Sequence, residues 1–241
     1  MLIRLWNKFL QQKAFAREFN ILEAQSTEQR FTLDWQDRYP CLNDRSSSMT
    51  FDRHYVYHVA WAARVIAALS PPEHVDISSS VYFSSILSAF VPVRYYDFRK
   101  PEIFLERLTP GQADLLNLPF CGNSIQSLSC MHVLEHIGLG RYGDALDYDG
   151  DLKAMAELRR VLAPGGSLLV AVPVGRPKIC FNAHRVYACD QIIDSFRGLE
   201  LNEFSLIPDS PQEGGLIRHA SKEQADRQSY ACGCFLFRKP V

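Results

Sequence analysis

The sequence predicts an α/β domain built on an open, doubly wound, mostly parallel sheet, with an N-terminal helical extension. Strand-like and helix-like segments alternate from about residue 50 to residue 205, the pattern of a parallel sheet carrying helices on its faces. Ser167–Pro173 is an unbroken apolar run of the type buried on both sides of such a sheet. Helical periodicity stops at Ser70-Pro-Pro72 and at Ala163-Pro-Gly-Gly166, each ahead of a strand-like run, because proline cannot continue a helix. Sheets of this kind bind ligands beyond the carboxyl ends of their strands.

Taken in order, residues 1–45 form an arm and loop. Leu2, Leu5, Trp6, Phe9, Leu10, Phe15 and Phe19 fall near helical spacing, with Arg4, Lys8, Lys13 and Arg17 mostly between them, which predicts an amphipathic helix. Such stripes pack on their own domain or a second subunit more often than they rest on an anionic membrane, and peripheral contact through residues 1–19 stays open. Tyr39–Ser48 reads as loop. The main domain, 46–241, begins with a helix over Tyr55–Leu69 and a strand at His74–Ile77, followed by Ser78–Ser80 and a helix through Phe83–Ala89. Strands follow at Val93–Phe98, Ala113–Leu116 and Ser124–Cys130, then a helix over Leu152–Leu162 and the strand Ser167–Pro173. Residues 206–241 read as irregular, a lid that ends in a closing strand at Tyr230–Phe237.

Composition narrows the function. The 26 Lys+Arg against 27 Asp+Glu give a net charge of −1, which supplies no basic field for gripping nucleic acid. The apolar stretches fall short of the ~20 residues of a membrane span. Seven scattered cysteines and an N-terminus without an apolar leader predict a cytoplasmic protein with reduced thiols. The close pair Cys232-Gly-Cys234 has no second pair and no histidine pair beside it in sequence, so it reads as two small buried residues of the last strand, and no metal is expected.

The motifs carry a resemblance. Arg159-Arg-Val-Leu-Ala-Pro-Gly-Gly166 between helix and strand, Asp114-Leu-Leu-Asn-Leu-Pro-Phe120 with Asn123-Ser-Ile125, and His132-Val-Leu-Glu-His-Ile137 together resemble three segments of class I S-adenosylmethionine-dependent methyltransferases, in that family's order and spacing. More narrowly, Asp76-Ile-Ser-Ser-Ser80, His132 to Asp144 (HVLEHIGLGRYGD), Pro173-Val-Gly175 and Phe181-Asn-Ala-His-Arg185 resemble a methyltransferase-related family catalogued as domain of unknown function two-six-eight. That resemblance runs from about Tyr39 to the end and implies a methyltransferase-like fold with an association with sugar and surface-polysaccharide assembly.

The resemblance implies S-adenosylmethionine as cofactor, held by Asp76, Ser78, Ser80, Asp97, Asp114, Leu115 and His132. Asp97 falls where the family places an acid for ribose hydroxyls, and Asp114 with the Leu115 N–H where it reads adenine. One departure stands out: the family's D-x-G-x-G-x-G is here Asp76-Ile-Ser-Ser-Ser-Val-Tyr82, without the glycines that let the backbone approach the cofactor closely. His132-x-x-Glu135-His136 also spells a zinc-peptidase motif, but Gly138 and Gly140 follow at once and no long helix is expected there. Within the methyltransferase reading, His136, His184 and Glu135 are the candidate acids and bases. Arg141, Tyr142, Asp144, Asn182 and Arg185 are the candidate substrate contacts, two guanidinium groups being suited to phosphate or carboxylate. Asp151 is expected to cap the helix from Leu152.

Three readings follow. The first is methyl transfer to a hydroxyl of a sugar or nucleotide sugar. The second is an enzyme of the same fold that isomerises or rearranges a nucleotide sugar, and the third a non-catalytic partner in glycan assembly.

Overall fold

A computed structural model describes residues 2–25, 31–42, 44–45 and 49–241. Residues 43 and 46–48 of the expected loop, and the side chains of Leu2 and Leu5 in the expected stripe, lie outside the described residues. The chain divides into two compact units, Met1–Phe51 and Asp52–Val241. In the first, helix α1 (Leu2–Gln25) outlasts the apolar stripe that predicts it. Phe15 and Phe19 pack on Trp35, with ring centroids 6.0 and 4.9 Å apart, while Trp6, Phe9 and Leu10 are exposed. Among the described residues, no helix is long and apolar enough to cross a membrane.

The second unit is a seven-stranded sheet flanked by helices. Its strands are β1 (His74–Ile77), β2 (Val93–Asp97), β3 (Leu108–Gln112), β4 (Ile125–Met131), β5 (Leu162–Val174), β8 (Glu200–Ile207) and β9 (Ala231–Arg238), with β6 (Lys178–Cys180) and β7 (His184–Val186) forming a separate hairpin. The order across the sheet is β3-β2-β1-β4-β5-β9-β8; all pairings are parallel except the two made by β9. The order reverses between β1 and β4, which is where open sheets place a ligand crevice. One core layer joins β-strand residues to α4 (Gly150–Val161) and α5 (Cys189–Ser195); the other joins them to α2 (Arg53–Leu69) and α3 (Val81–Leu87).

Local chemistry explains the elements that frame the site. Asp52 caps α2 by accepting the Tyr55 N–H at 3.2 Å. The helix ends at Ser70, left-handed at φ 46, ahead of Pro71-Pro72. It buries Trp61, Ala62, Val65 and Ile66 against the sheet, leaving its first turn over the carboxyl ends of the strands. Helix α3 spans Val81–Leu87, two residues ahead of the expected Phe83–Ala89.

The sequence places several elements wrongly. The third strand is Leu108–Gln112; Ala113–Leu116 is instead a turn in which Asp114 Oδ1 accepts the Leu116 N–H at 2.9 Å. Ala163-Pro-Gly-Gly166 does stop α4 but belongs to β5: Ile125 pairs with Leu162 and Ser127 with Ser167, so the segment is a bulge. Gly166 is required there, since a Cβ would lie 2.8 Å from the Ala163 carbonyl oxygen. Strand β8 and the β6–β7 hairpin carry too many polar residues to read as strands from sequence. The expected lid lies mostly along the outer edge of β8, through paired bonds between Leu206 and Ile217 and the Ala220 N–H to the Phe204 carbonyl.

Glu203 anchors that edge. Buried on β8, it accepts hydrogen bonds from Trp61 Nε1 (3.0 Å), the Ser205 hydroxyl (2.7 Å) and the Arg218 guanidinium. Burial alone raises its carboxyl, but the bonds from Arg218, Ser205 and Trp61 outweigh burial and hold it at about 2, below the ordinary 4.5. A depressed folded value contributes stability that is present above 4.5 and is lost as pH falls through about 2. Glu203→Gln is therefore expected to cost about 2 kcal/mol near neutral pH. The gap to wild type should narrow at pH 3, read by urea midpoints; an equal gap at both pH values would refute the charged network.

Candidate active site

The carboxyl ends of β1, β2 and β4 form the crevice at the point where strand order reverses. After β1, Ser78 takes the left-handed conformation (φ 56) at the position of the family's first glycine, so the turn survives without glycine. Ser79 is buried and ties the loop down: its hydroxyl accepts the Met131 N–H at 3.0 Å and its carbonyl accepts the Tyr95 hydroxyl at 3.0 Å. Ser80 starts α3 with no capping bond from its side chain, and both Ser78 and Ser80 are half-buried at the crevice edge.

Asp76 stands elsewhere than a cofactor contact requires. It is fully buried, with Ser84 donating to Oδ2 at 2.7 Å and Ser129 donating to Oδ1. His74 continues the chain, its ring nitrogens 2.7 and 2.9 Å from the Ser127 and Ser129 hydroxyls. Burial outweighs the serine bonds and pushes the Asp76 carboxyl up to about 6; burial holds His74 neutral by pushing it down to about 3. This polar relay joins β1 to β4 inside the core, so Asp76 braces the crevice without facing it.

The end of the crevice beside β2 is more open. Asp97, at the end of β2, is half-buried; Oδ1 accepts the Arg99 N–H at 2.9 Å and Oδ2 only a long 3.4 Å bond from Tyr95. A carboxylate has about four acceptor sites, so capacity for a diol remains. Asp114 is exposed in its turn, and Leu115 is buried beneath it. These residues fit the nucleoside end of S-adenosylmethionine, while its methionine end would meet serines in place of glycines.

Beside the crevice lies a polar cavity of about 260 Å³. From the expected set it gathers His132, Glu135, His136, Arg141, Tyr142 and His184. His136 Nδ1–H donates to the Ala183 carbonyl at 2.6 Å, which leaves Nε2 as the basic nitrogen, 3.8 Å from Glu135 Oε1. Arg141 donates to the same carbonyl at 3.1 Å and its guanidinium lies over the Tyr142 ring. Arg99 also lies 5.6 Å from that ring, so the loop after β2 meets the glycine loop there. Burial lowers the His184 imidazole, favouring the neutral, proton-accepting form. Residues 134–136 form one tight turn and His132 has φ 56, so His132 and His136 do not share a helix face and the peptidase arrangement is absent.

Two expected substrate contacts are used by the protein itself. Asp144 accepts the N–H groups of Gly138 (2.8 Å), Gly140 (3.2 Å) and Tyr142 (3.1 Å), which together hold its carboxyl low against the opposing effect of burial. Arg185 is buried, donating to the carbonyls of Ile137 (2.6 Å) and Tyr148 (3.0 Å), with Asp151 3.6 Å away. Asp151 does not cap α4: it sits inside the first turn, accepting the Tyr187 hydroxyl at 2.9 Å. Asn182 is exposed near the tip of the β6–β7 hairpin, outside the cavity lining. Sequence reading missed Asp52, His54, Tyr55 and Tyr230, which line the same cavity from α2 and the start of β9. The available signal was His54-x-x-x-His58, two histidines one helical turn apart.

Strand order, the antiparallel β9 and the crevice define a methyltransferase fold, and the comparisons agree. The chain resembles the N-methyltransferase NodS from Bradyrhizobium japonicum in complex with S-adenosylhomocysteine, at 15% identity over 92% of this chain and 98% of that one, with a TM-score of 0.56. It also resembles the 1,6-didemethyltoxoflavin-N1-methyltransferase of Burkholderia thailandensis, bound to 1,6-didemethyltoxoflavin and S-adenosylhomocysteine, at 13% identity over 76% and 79% of the two chains and a TM-score of 0.56. Identities this low speak to the fold alone. The sequence model of the family described as Caenorhabditis protein of unknown function, DUF268, matches residues 120–231. No curated protein matches the chain.

Proposed function

We propose that the protein is an S-adenosylmethionine-dependent methyltransferase whose acceptor is a hydroxyl on a polar, anionic molecule of the sugar or nucleotide-sugar class, as in surface-polysaccharide assembly. The observation that carries this reading is the cavity at the strand ends, which sets two imidazoles, His136 and His184, beside the Arg141 guanidinium. Asp97 and Asp114 would hold the adenosine, and Ser78 and Ser80 would lie along the methionine end. When bound, the cofactor supplies an electrophilic methyl group.

The chain's own residues do the rest. Arg141 binds the anionic group, while Tyr142 and Tyr230 offer ring faces to a sugar. His136 Nε2 takes the proton of the acceptor hydroxyl, and Glu135, 3.8 Å away, stabilises the imidazolium that forms. Positioning supplies the larger part of the rate, as is usual where a nucleophile is held in line.

Titration calorimetry tests the reading. Wild type is expected to bind S-adenosylmethionine and S-adenosylhomocysteine, and Asp97→Ala with Asp114→Ala to weaken both at least about tenfold, since each lost charge-assisted bond is worth about 1.5–3 kcal/mol. Failure of both ligands to bind at millimolar concentration sinks methyl transfer. The serine-lined loop favours the isomerase reading as second: nucleotide sugars would then bind while neither sulfur ligand does.

A further inference from the structure

The geometry points to a transition-metal site of the zinc class, held by His54, His132 and Cys232, at the inner wall of the polar cavity. A ring nitrogen of His54, a ring nitrogen of His132 and the Cys232 sulfur all lie within 4.8 Å of one another. The three come from the first turn of α2, the residue after β4 and the second residue of β9, so only the fold assembles them. The expectation that Cys232-Gly-Cys234 has no histidines near it holds along the sequence and fails in space.

Unpartnered atoms supply the second observation. His132 donates Nδ1–H to Glu135 Oε1 at 2.8 Å, and its Nε2 is buried with no hydrogen-bond partner. His58, one turn after His54, lies with its ring centroid 4.9 Å from that of His132, the two rings tilted; its Nδ1–H donates to the His54 carbonyl at 2.6 Å, and its Nε2 is also buried without a partner. Buried imidazole nitrogens are nearly always satisfied, so two bare ones in one cluster mark a place where something else supplies the partner. A metal ion does so at His132, which already shows the arrangement of a ligand: Nδ1–H donates to the Glu135 carboxylate, which fixes the tautomer and presents Nε2 to the cluster.

Donor chemistry selects the ion. Two imidazoles and a thiolate suit Zn²⁺ and its neighbours, whereas Mg²⁺ and Ca²⁺ demand oxygen. Ligand bonds of about 2.0–2.3 Å place tetrahedral ligand atoms roughly 3.3–3.6 Å apart, so the cluster closes by about 1 Å on binding. The Cys234 sulfur, 3.9 Å from Cys232 on the same face of β9, is placed to hydrogen-bond the bound thiolate. His58 packs against the His132 ring behind the three clustered ligand atoms. His54 and His132 both line the cavity, so a coordination position opens towards the substrate side, the arrangement of a catalytic ion. The site stands whether or not the protein transfers methyl groups.

The test uses the full chain, with any affinity tag removed, stripped by chelator and titrated with Zn²⁺ and with Co²⁺. One equivalent of either metal is expected to bind. Cobalt should show the intense visible bands of four-coordination and a near-ultraviolet sulfur-to-cobalt band. Cys232→Ser should remove the sulfur band, and His54→Ala, on the cavity rim, should weaken binding at least a hundredfold while circular dichroism confirms the fold. Cys41→Ser and Cys121→Ser, at exposed thiols, should keep the band. Absence of stoichiometric binding at micromolar metal, cobalt binding without a sulfur band, or unchanged affinity in His54→Ala would overturn the site. Metal content is read independently of cofactor calorimetry, so the two proposals fail separately.

Discussion

Arg185→Ala is expected to destabilise the protein by about 3–5 kcal/mol, the loss typical when one partner of a buried charged pair is removed. Its guanidinium is buried and holds two carbonyls, Ile137 at 2.6 Å and Tyr148 at 3.0 Å, from opposite ends of the glycine loop. Truncation strands both carbonyls and leaves the buried Asp151 carboxylate with the Tyr187 hydroxyl. Domains of this type have about 5–15 kcal/mol of total stability, so the variant stands near the edge of folding. Arg185→Lys should recover little, because one ammonium cannot reproduce a planar fork aimed at two carbonyls. Arg141→Ala is the contrast. Exposed and facing the cavity, it should change stability by less than about 0.5 kcal/mol and act on ligand affinity instead. Urea denaturation of the three variants separates these outcomes; an Arg185→Ala protein as stable as wild type would return that residue to the list of substrate contacts.

The two arginines show where sequence reading reaches its limit. Residue type announces which chemistry is available, but burial decides whether the fold consumes it. Asp76, Asp144 and Arg185 carry the right groups near the right strand ends, and each is bonded to its own scaffold. His136, His184, Arg141 and Tyr142 sit equally near those ends and do line the cavity. Nothing in local pattern separates the two sets, because the difference lies in how the glycine loop and the hairpin cross.

The architecture was more legible. His74–Ile77 and the apolar β5 announce themselves through periodicity and breakers. Strand β8 does not, since its buried Glu203 is made tolerable by Trp61 and Arg218, residues 142 positions before and 15 after it. The cluster of His54, His132 and Cys232 was illegible for the same reason: its members are distant in sequence, and only a parallel sheet closed by an antiparallel strand brings them together.

Gly138→Ala should be the most damaging single-methyl change in the loop that carries Arg141 and Tyr142, and its neighbour Gly143 provides the control. Both have left-handed backbones, φ 79 and φ 84. At Gly138 an added Cβ would lie 2.1 Å from the Asp147 carbonyl oxygen, a backbone atom that cannot swing aside as a side chain can. The Asp147 N–H donates to the Gly138 carbonyl at 2.9 Å, so relieving the clash breaks the bond that closes the loop. Gly150 also packs closely on Gly138, its own Cβ position 3.2 Å from the Gly138 Cα, which leaves the loop little room to retreat. Left-handed strain of about 1–2 kcal/mol then combines with loss of the loop bond and displacement of the Arg185 carbonyl partners, for a total expected above about 3 kcal/mol. At Gly143 the same methyl meets nothing within 4 Å, so strain acts alone and Gly143→Ala should cost only about 1 kcal/mol. The functional difference should be larger still. Gly138→Ala moves Arg141 and Tyr142 out of the cavity and should abolish substrate-side binding in whatever protein remains folded. Gly143→Ala keeps Asp144 bonded to the Gly138, Gly140 and Tyr142 N–H groups and should bind as wild type does. Equal thermal midpoints for the two variants would mean that the loop does not close on Asp147 as described.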